Sequence, residues 1–150
     1  MKKFFVSIPV IVLCTTLGLV SCNSTKNANN NLPIDIADRP IDEDSQKYDQ
    51  AQIDKLKASI ESEVSGEKCN NASEWTFAPM GIKSCGGPQL YIAYPKKIEA
   101  TILPRINEYT DKVRVFNEKY NIMSDCVMVM PPTSLKCVNG KVRLITPDNN

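Results

Sequence analysis

The sequence predicts a small α+β domain: an antiparallel sheet with two amphipathic helices packed on one face, braced by two disulfides. Three observations predict it. Apolar residues recur at spacings of three and four over two stretches, Ile53 to Val64 and Ile102 to Tyr120. Two short alternating runs flank Asn139-Gly140, the pair best suited to a type I′ hairpin. Four cysteines, Cys69, Cys85, Cys126 and Cys137, form an even set downstream of an export-type leader, which reads as disulfides.

The leader comes first in the chain. Lys2 and Lys3 precede an uncharged, mostly apolar run from Phe4 to Val20. That is the basic and apolar sequence of a secretory signal peptide, and it is at the short end of what spans a bilayer. It closes on Leu19-Val20-Ser21-Cys22, which resembles the lipobox of bacterial lipoproteins. The resemblance covers residues 1–22 only. It implies that residues 1–21 are removed and that Cys22 carries lipid, so that the domain's first partner is a membrane. Two or more acyl chains hold a protein stably, where one binds marginally. Asn23, in place of the aspartate that commonly retains lipoproteins at the inner membrane, implies the outer membrane of the cell envelope. The other reading of Cys22, an ordinary cleaved signal with this cysteine in a disulfide, stays open.

Residues 22–44 are expected to be the lipidated cysteine and a flexible tether. Asn27 to Asn31 is polar except for Ala28, and such residues do not offset the entropy of ordering. Residues 45–150 are expected to form a single extracytoplasmic domain. Its first helix should start at Asp44 or Ser45 as N-cap, bury Ile53, Leu56, Ile60 and Val64, and stop at Gly66. Turn chemistry follows at Cys69-Asn70-Asn71, Pro79-Met80-Gly81 and Cys85-Gly86-Gly87-Pro88, with a short strand around Trp75 and another from Gln89 to Tyr94. Trp75, the single tryptophan, reads as a core anchor. The longest helix should begin near Thr101, which keeps Pro104 in the first turn, where no amide donor is needed.

The C-terminal part reads as a three-stranded meander: Cys126–Met130, Leu135–Val138 and Lys141–Ile145. A two-residue turn at Asn139-Gly140 pairs Val138 with Lys141, Cys137 with Val142 and Leu135 with Leu144. One face is then apolar, and it is expected to receive the two helix stripes. The same register sets Lys136 opposite Arg143, a like-charge pair. Local disulfides, Cys69–Cys85 and Cys126–Cys137, are expected because each closes a turn-rich segment. The other two connectivities remain open.

Composition narrows the function. Cleavage takes two lysines from a total of 18 Lys+Arg against 17 Asp+Glu, so the mature chain has no field that would attract nucleic acid. The count of histidine is 0. The commonest general base and zinc ligand is therefore missing, and no metal or cofactor is expected. The cysteines lack a CxxC pair, which speaks against metal binding and thioredoxin-like chemistry. Carboxylate pairs such as Glu61 with Glu63, or Glu108 with Asp111, fall on solvated helix faces. The chain reads as a binding module or envelope component with a possible envelope protein partner, not an enzyme. An inhibitor of an envelope or foreign enzyme is the alternative. The candidate binding loop is Lys83, Gly86, Gly87 and Pro88 with Tyr91 and Tyr94 beside it. A disulfide at Cys85 would pre-organise it. A tight turn delivering a core strand is the competing reading of the same residues.

Overall fold

A computed structural model of the chain describes residues 35–147. The leader, Cys22 and the tether as far as residue 34 lie outside the described residues. Six elements follow in order: α1 (Glu43–Ser65), β1 (Trp75–Ile82), β2 (Pro88–Pro95), α2 (Glu99–Lys119), β3 (Ser134–Val138) and β4 (Lys141–Ile145). One-turn 3₁₀ helices at Ala72–Glu74 and Lys96–Ile98 lead into β1 and α2. Among the described residues no helix is long and apolar enough to cross a membrane.

Helix α1 starts two residues earlier than expected. Asp42 is the N-cap, accepting the Ser45 amide at 2.7 Å, and this hydrogen bond holds its carboxyl below the usual carboxylate range. Gly66 caps the far end in the right-handed region, so its freedom at positive φ is not used. Helix α2 also starts early, at Glu99, because the 3₁₀ turn feeds it directly. Thr101 is therefore inside the helix, donating its hydroxyl to the Ile98 carbonyl, and Pro104 falls in the second turn. The carbonyl that Pro104 leaves without an intrahelical partner is that of Ala100, an exposed residue open to water.

The expected single sheet is two separate hairpins, β1–β2 and β3–β4, both antiparallel. The β3–β4 register is the one the turn demanded, including Lys136 opposite Arg143. Cys126–Met130 forms no strand, so the meander loses its first member. Pro79-Met80-Gly81 is no turn either: it lies inside β1. Pro79 is tolerated because a two-stranded ribbon has an unpaired edge. Gly81 is a local irregularity at φ +71°, with its amide turned to the α2 hydroxyl of Thr110 at 3.0 Å. A side chain there would collide with Gln89 and crowd Tyr109.

The helix stripes are buried as the spacing required, except that Leu56 is only half-buried: Ile53, Ile60 and Val64 on α1, and Ile102, Ile106, Tyr109, Val113 and Phe116 on α2. Their seat is different from the expected one. Helix α2 lies against β1, and α1 packs along α2 and reaches β2, so the first hairpin receives the helices and the C-terminal hairpin does not. Ile92, Ala93, Tyr94 and Pro95 are buried consecutively, which requires cover on both faces of β2 at that end. Strand β4 touches β2, and Leu135, Val142 and Leu144 pack half-buried against the core. Trp75 is buried in the same core.

The disulfides are Cys69–Cys137 and Cys85–Cys126, not the local pairs. The connector after α1 runs beside the tip of β3–β4, where the Cys69 amide donates to the Gly140 carbonyl at 2.9 Å, so Cys69 meets Cys137. Cys126 has no hairpin partner to carry it opposite Cys137, and it meets the β1–β2 loop instead. Separations of 68 and 41 residues would each contribute about 4 kcal/mol in the chain-entropy model, less together because one loop encloses the other.

The last part of the expected tether is packed on the domain. Ile36 and Arg39 are buried. Arg39 forms an ion pair with Asp49 of α1, which is 0% exposed. Tyr120, just past α2, donates to the other Asp49 oxygen at 2.7 Å, with Lys119 Nζ 3.6 Å away. Lys119 also donates to the Ile36 carbonyl. Burial, then the bond to Asp49, pushes the Tyr120 hydroxyl well above its ordinary pKa, so it stays a donor. Asp49→Ala would remove the carboxylate that two buried cations face. It should cost about 3–5 kcal/mol, read as a lowered urea midpoint. An unchanged midpoint would show that the cluster holds nothing together.

Candidate binding surface

The loop between β1 and β2 closes on itself: the Lys83 amide donates to the Gly87 carbonyl at 3.0 Å and the Gly86 amide to the Lys83 carbonyl at 2.9 Å. Gly86 and Gly87 adopt φ +91° and +77° with open space around them, so backbone conformation alone requires glycine. This loop meets the chain that leaves α2. The helix stops because Asn121 turns left-handed at φ +48°, and Ile122 donates back to the Asn117 carbonyl at 3.0 Å. That is the wrapped ending usually made with glycine and sometimes with asparagine.

Residues 122–127 are then clamped along the loop. The Ser84 amide donates to Ser124 Oγ at 3.0 Å, and the Ser84 hydroxyl donates to the Ile122 carbonyl. Lys83 Nζ donates to Asp125 Oδ1 and to the Val127 carbonyl, both at 2.7 Å. The Cys85–Cys126 bridge lies between these contacts. Asn117 Nδ2 donates to the Ile82 carbonyl at 3.0 Å, which fixes the end of β1 to α2 beneath the loop.

The clamp presents large apolar side chains to solvent. Met123 is 85% exposed, Met128 77%, Val127 67% and Met130 40%. Met123 lines a concavity of about 350 Å³ together with Ser84, Cys85, Asn117, Asn121 and Ser124. A wider groove of about 610 Å³ on the outward side of α2 includes Glu108, Asp111 and Lys112. The acids there are paired with cations, Lys112–Glu108 at 3.6 Å and Arg114–Asp111 at 2.6 Å, which is the pattern of a solvated helix face.

The structure brings Lys83, Gly86 and Gly87 into one loop and separates them from Tyr94, which is buried opposite Thr76. Tyr91 is half-buried, edge-on to Phe77 at 6.0 Å. Pro88 pairs with Ile82 at the start of β2. Lys83 points inward to the clamp and presents no charge to a partner. Ser124 and Asp125 were not foreseen, and Met128 and its neighbours were expected in a strand.

A Ser-x-x-Lys spacing does occur, from Ser65 to Lys68, but the Ser65 hydroxyl donates to the Ser62 carbonyl at 3.0 Å. Glu63 pairs with Arg105, and Glu61 lies 3.9 Å from Lys57. Among the described residues no three His, Cys, Asp or Glu side chains are grouped to hold a metal ion. Comparison with protein-family models, with curated proteins and with solved structures finds no match to this chain.

Lys83→Met keeps the aliphatic stem and removes both donors to the clamped segment. The stability loss should be roughly 1 kcal/mol, since Asp125 is exposed to solvent. Amide hydrogen exchange at 122–128 should rise. Unchanged exchange there would mean that Lys83 does not hold the segment.

Proposed function

We propose that this chain is a lipid-anchored envelope protein whose folded domain binds a protein partner through the strip from Met123 to Met130. The observation that carries the reading is the grouping of Met123, Val127, Met128 and Met130 in the open on a covalently pinned stretch. Contiguous exposed apolar side chains are unfavourable in water and mark interaction surfaces. Methionine suits such a surface because its unbranched, polarisable side chain adapts to the shape it meets. The bridge and the Lys83 contacts hold the backbone in place, which lowers the entropy lost on binding.

The anchor is supported by the leader and the Leu19-Val20-Ser21-Cys22 motif. An anchor to the outer membrane would raise the local concentration of a partner in the same envelope, so a modest affinity suffices. A second reading, inhibition of an envelope or foreign enzyme, is favoured by the disulfide-held loop Lys83–Gly87 projecting beside the strip.

Two measurements test the proposal. Mass spectrometry of the mature amino terminus should show acylated Cys22; an unmodified terminus at another residue would remove the anchor. Met123→Asp combined with Met128→Asp should reduce the partner recovered from detergent-solubilised envelopes by at least about tenfold, the loss of little more than 1.4 kcal/mol. Ile41→Asp, at an exposed apolar site outside residues 123–130, should recover it in full. Equal recovery by all three proteins would place the binding surface elsewhere.

A further inference from the structure

We infer that the Cys85–Cys126 bridge is a redox latch, opened by an external dithiol in preference to Cys69–Cys137, and that its opening releases the Met123–Met130 strip. This concerns regulation of the proposed binding surface and rests on that reading for its functional meaning. The physical claim stands on the two bridges themselves.

Their surroundings differ. Cys85 and Cys126 are both exposed, whereas Cys69 is 2% exposed and Cys137 is half-buried against the core. An attacking thiolate must reach a sulfur atom, so access governs which bridge reacts. Cys137 belongs to β3, and the Cys69 backbone is tied to Gly140, so opening that bridge disturbs a packed hairpin. Cys85 and Cys126 lie in segments that are neither helix nor strand. Opening the second bridge leaves both hairpins and both helices intact.

The site also favours one direction of attack. Ser124 Oγ lies 3.5 Å and the Asp125 carbonyl oxygen 3.6 Å from Cys85 Sγ. A disulfide sulfur carries no hydrogen, so the hydroxyl is the donor. Its oxygen already accepts the Ser84 amide, which leaves its hydrogen free for the sulfur. A hydrogen bond to a thiolate favours the charged form, and a better-stabilised thiolate leaves faster. The incoming thiolate therefore attacks Cys126. The Cys85–Cys126 bond breaks, a mixed disulfide forms on Cys126, and Cys85 departs as a thiolate that takes a proton from water. The second thiol of the reductant then attacks its own sulfur in the mixed disulfide and expels Cys126, which is protonated in turn. The bridge gains two electrons and the dithiol becomes a disulfide. What remains of the clamp is hydrogen bonds from Ser84 and Lys83, all close to solvent.

The test uses the full chain in detergent with graded dithiothreitol, timed alkylation and peptide mass spectrometry. Cys85 and Cys126 should be labelled at least about tenfold faster than Cys69 and Cys137, as access differs at otherwise similar thiols. Amide exchange at 122–131 should rise as they are labelled, with that of β1 and β2 unchanged. Under limiting glutathione the adduct should sit on Cys126. Labelling of Cys69 and Cys137 first or at the same rate, or unchanged exchange at 122–131, overturns the latch. An adduct confined to Cys85 overturns the direction of attack. Partner recovery is read separately: it should fall at least about tenfold once Cys85 and Cys126 are reduced. Full recovery by the reduced protein would exclude regulation. If the oxidised protein recovers no partner, the surface reading fails, while labelling order and exchange still decide the latch.

Discussion

The carboxylate of Asp49 is the point on which three parts of the chain converge. It lies within α1, receives the guanidinium of Arg39 from the preceding segment, and accepts the phenol of Tyr120 from the end of α2. The charge is fully buried, so its neighbours cannot drift apart without leaving it unsolvated. Among the described residues no buried side-chain nitrogen or oxygen lacks a partner. The cluster therefore sets where the chain comes onto the domain, how α1 lies on α2, and where α2 ends. Everything after Tyr120, including the exposed methionines, starts from that fixed position.

Much of this was legible in the residues. The spacing of Ile102, Ile106, Tyr109, Val113 and Phe116 selected the face that is buried, because helical geometry leaves little choice once one face must leave water. Asn139-Gly140 determined its hairpin to the residue, since a two-residue turn fixes the register of both strands. Asp49 was readable and went unread: with Ser45 it extends the stripe of Ile53, Leu56 and Ile60 by further steps of four. A charge at such a position calls for partners, but their identity depends on Arg39 and Tyr120 arriving from elsewhere in the sequence.

What stayed hidden depended on long-range placement. Cys126 to Met130 has the composition of a strand, but it pairs with neither hairpin, although each has free edges. Its backbone is held by a lysine ammonium and a disulfide instead. The pairing of Cys69 with Cys137 follows from the connector passing the hairpin tip, which no local spacing encodes. The methionine strip and the bridge beside it thus share an origin: a segment with the side chains of a core strand is fixed outside the core.

The nesting of the bridges has a consequence for survival among proteases. Cys69–Cys137 encloses every position from 70 to 136, and Cys85–Cys126 lies inside that span. Any single peptide cut in this interval yields two pieces that stay joined through sulfur. The most vulnerable stretch is the exposed backbone of the strip, since extended segments free of helix and strand fit protease clefts. Two cuts flanking Cys126 would still leave the fragment fastened to Cys85. Oxidised, the domain can be nicked and keep all its parts; with the outer of the two bridges opened, a cut before Cys85 or after Cys126 would divide it, while a cut between them would not.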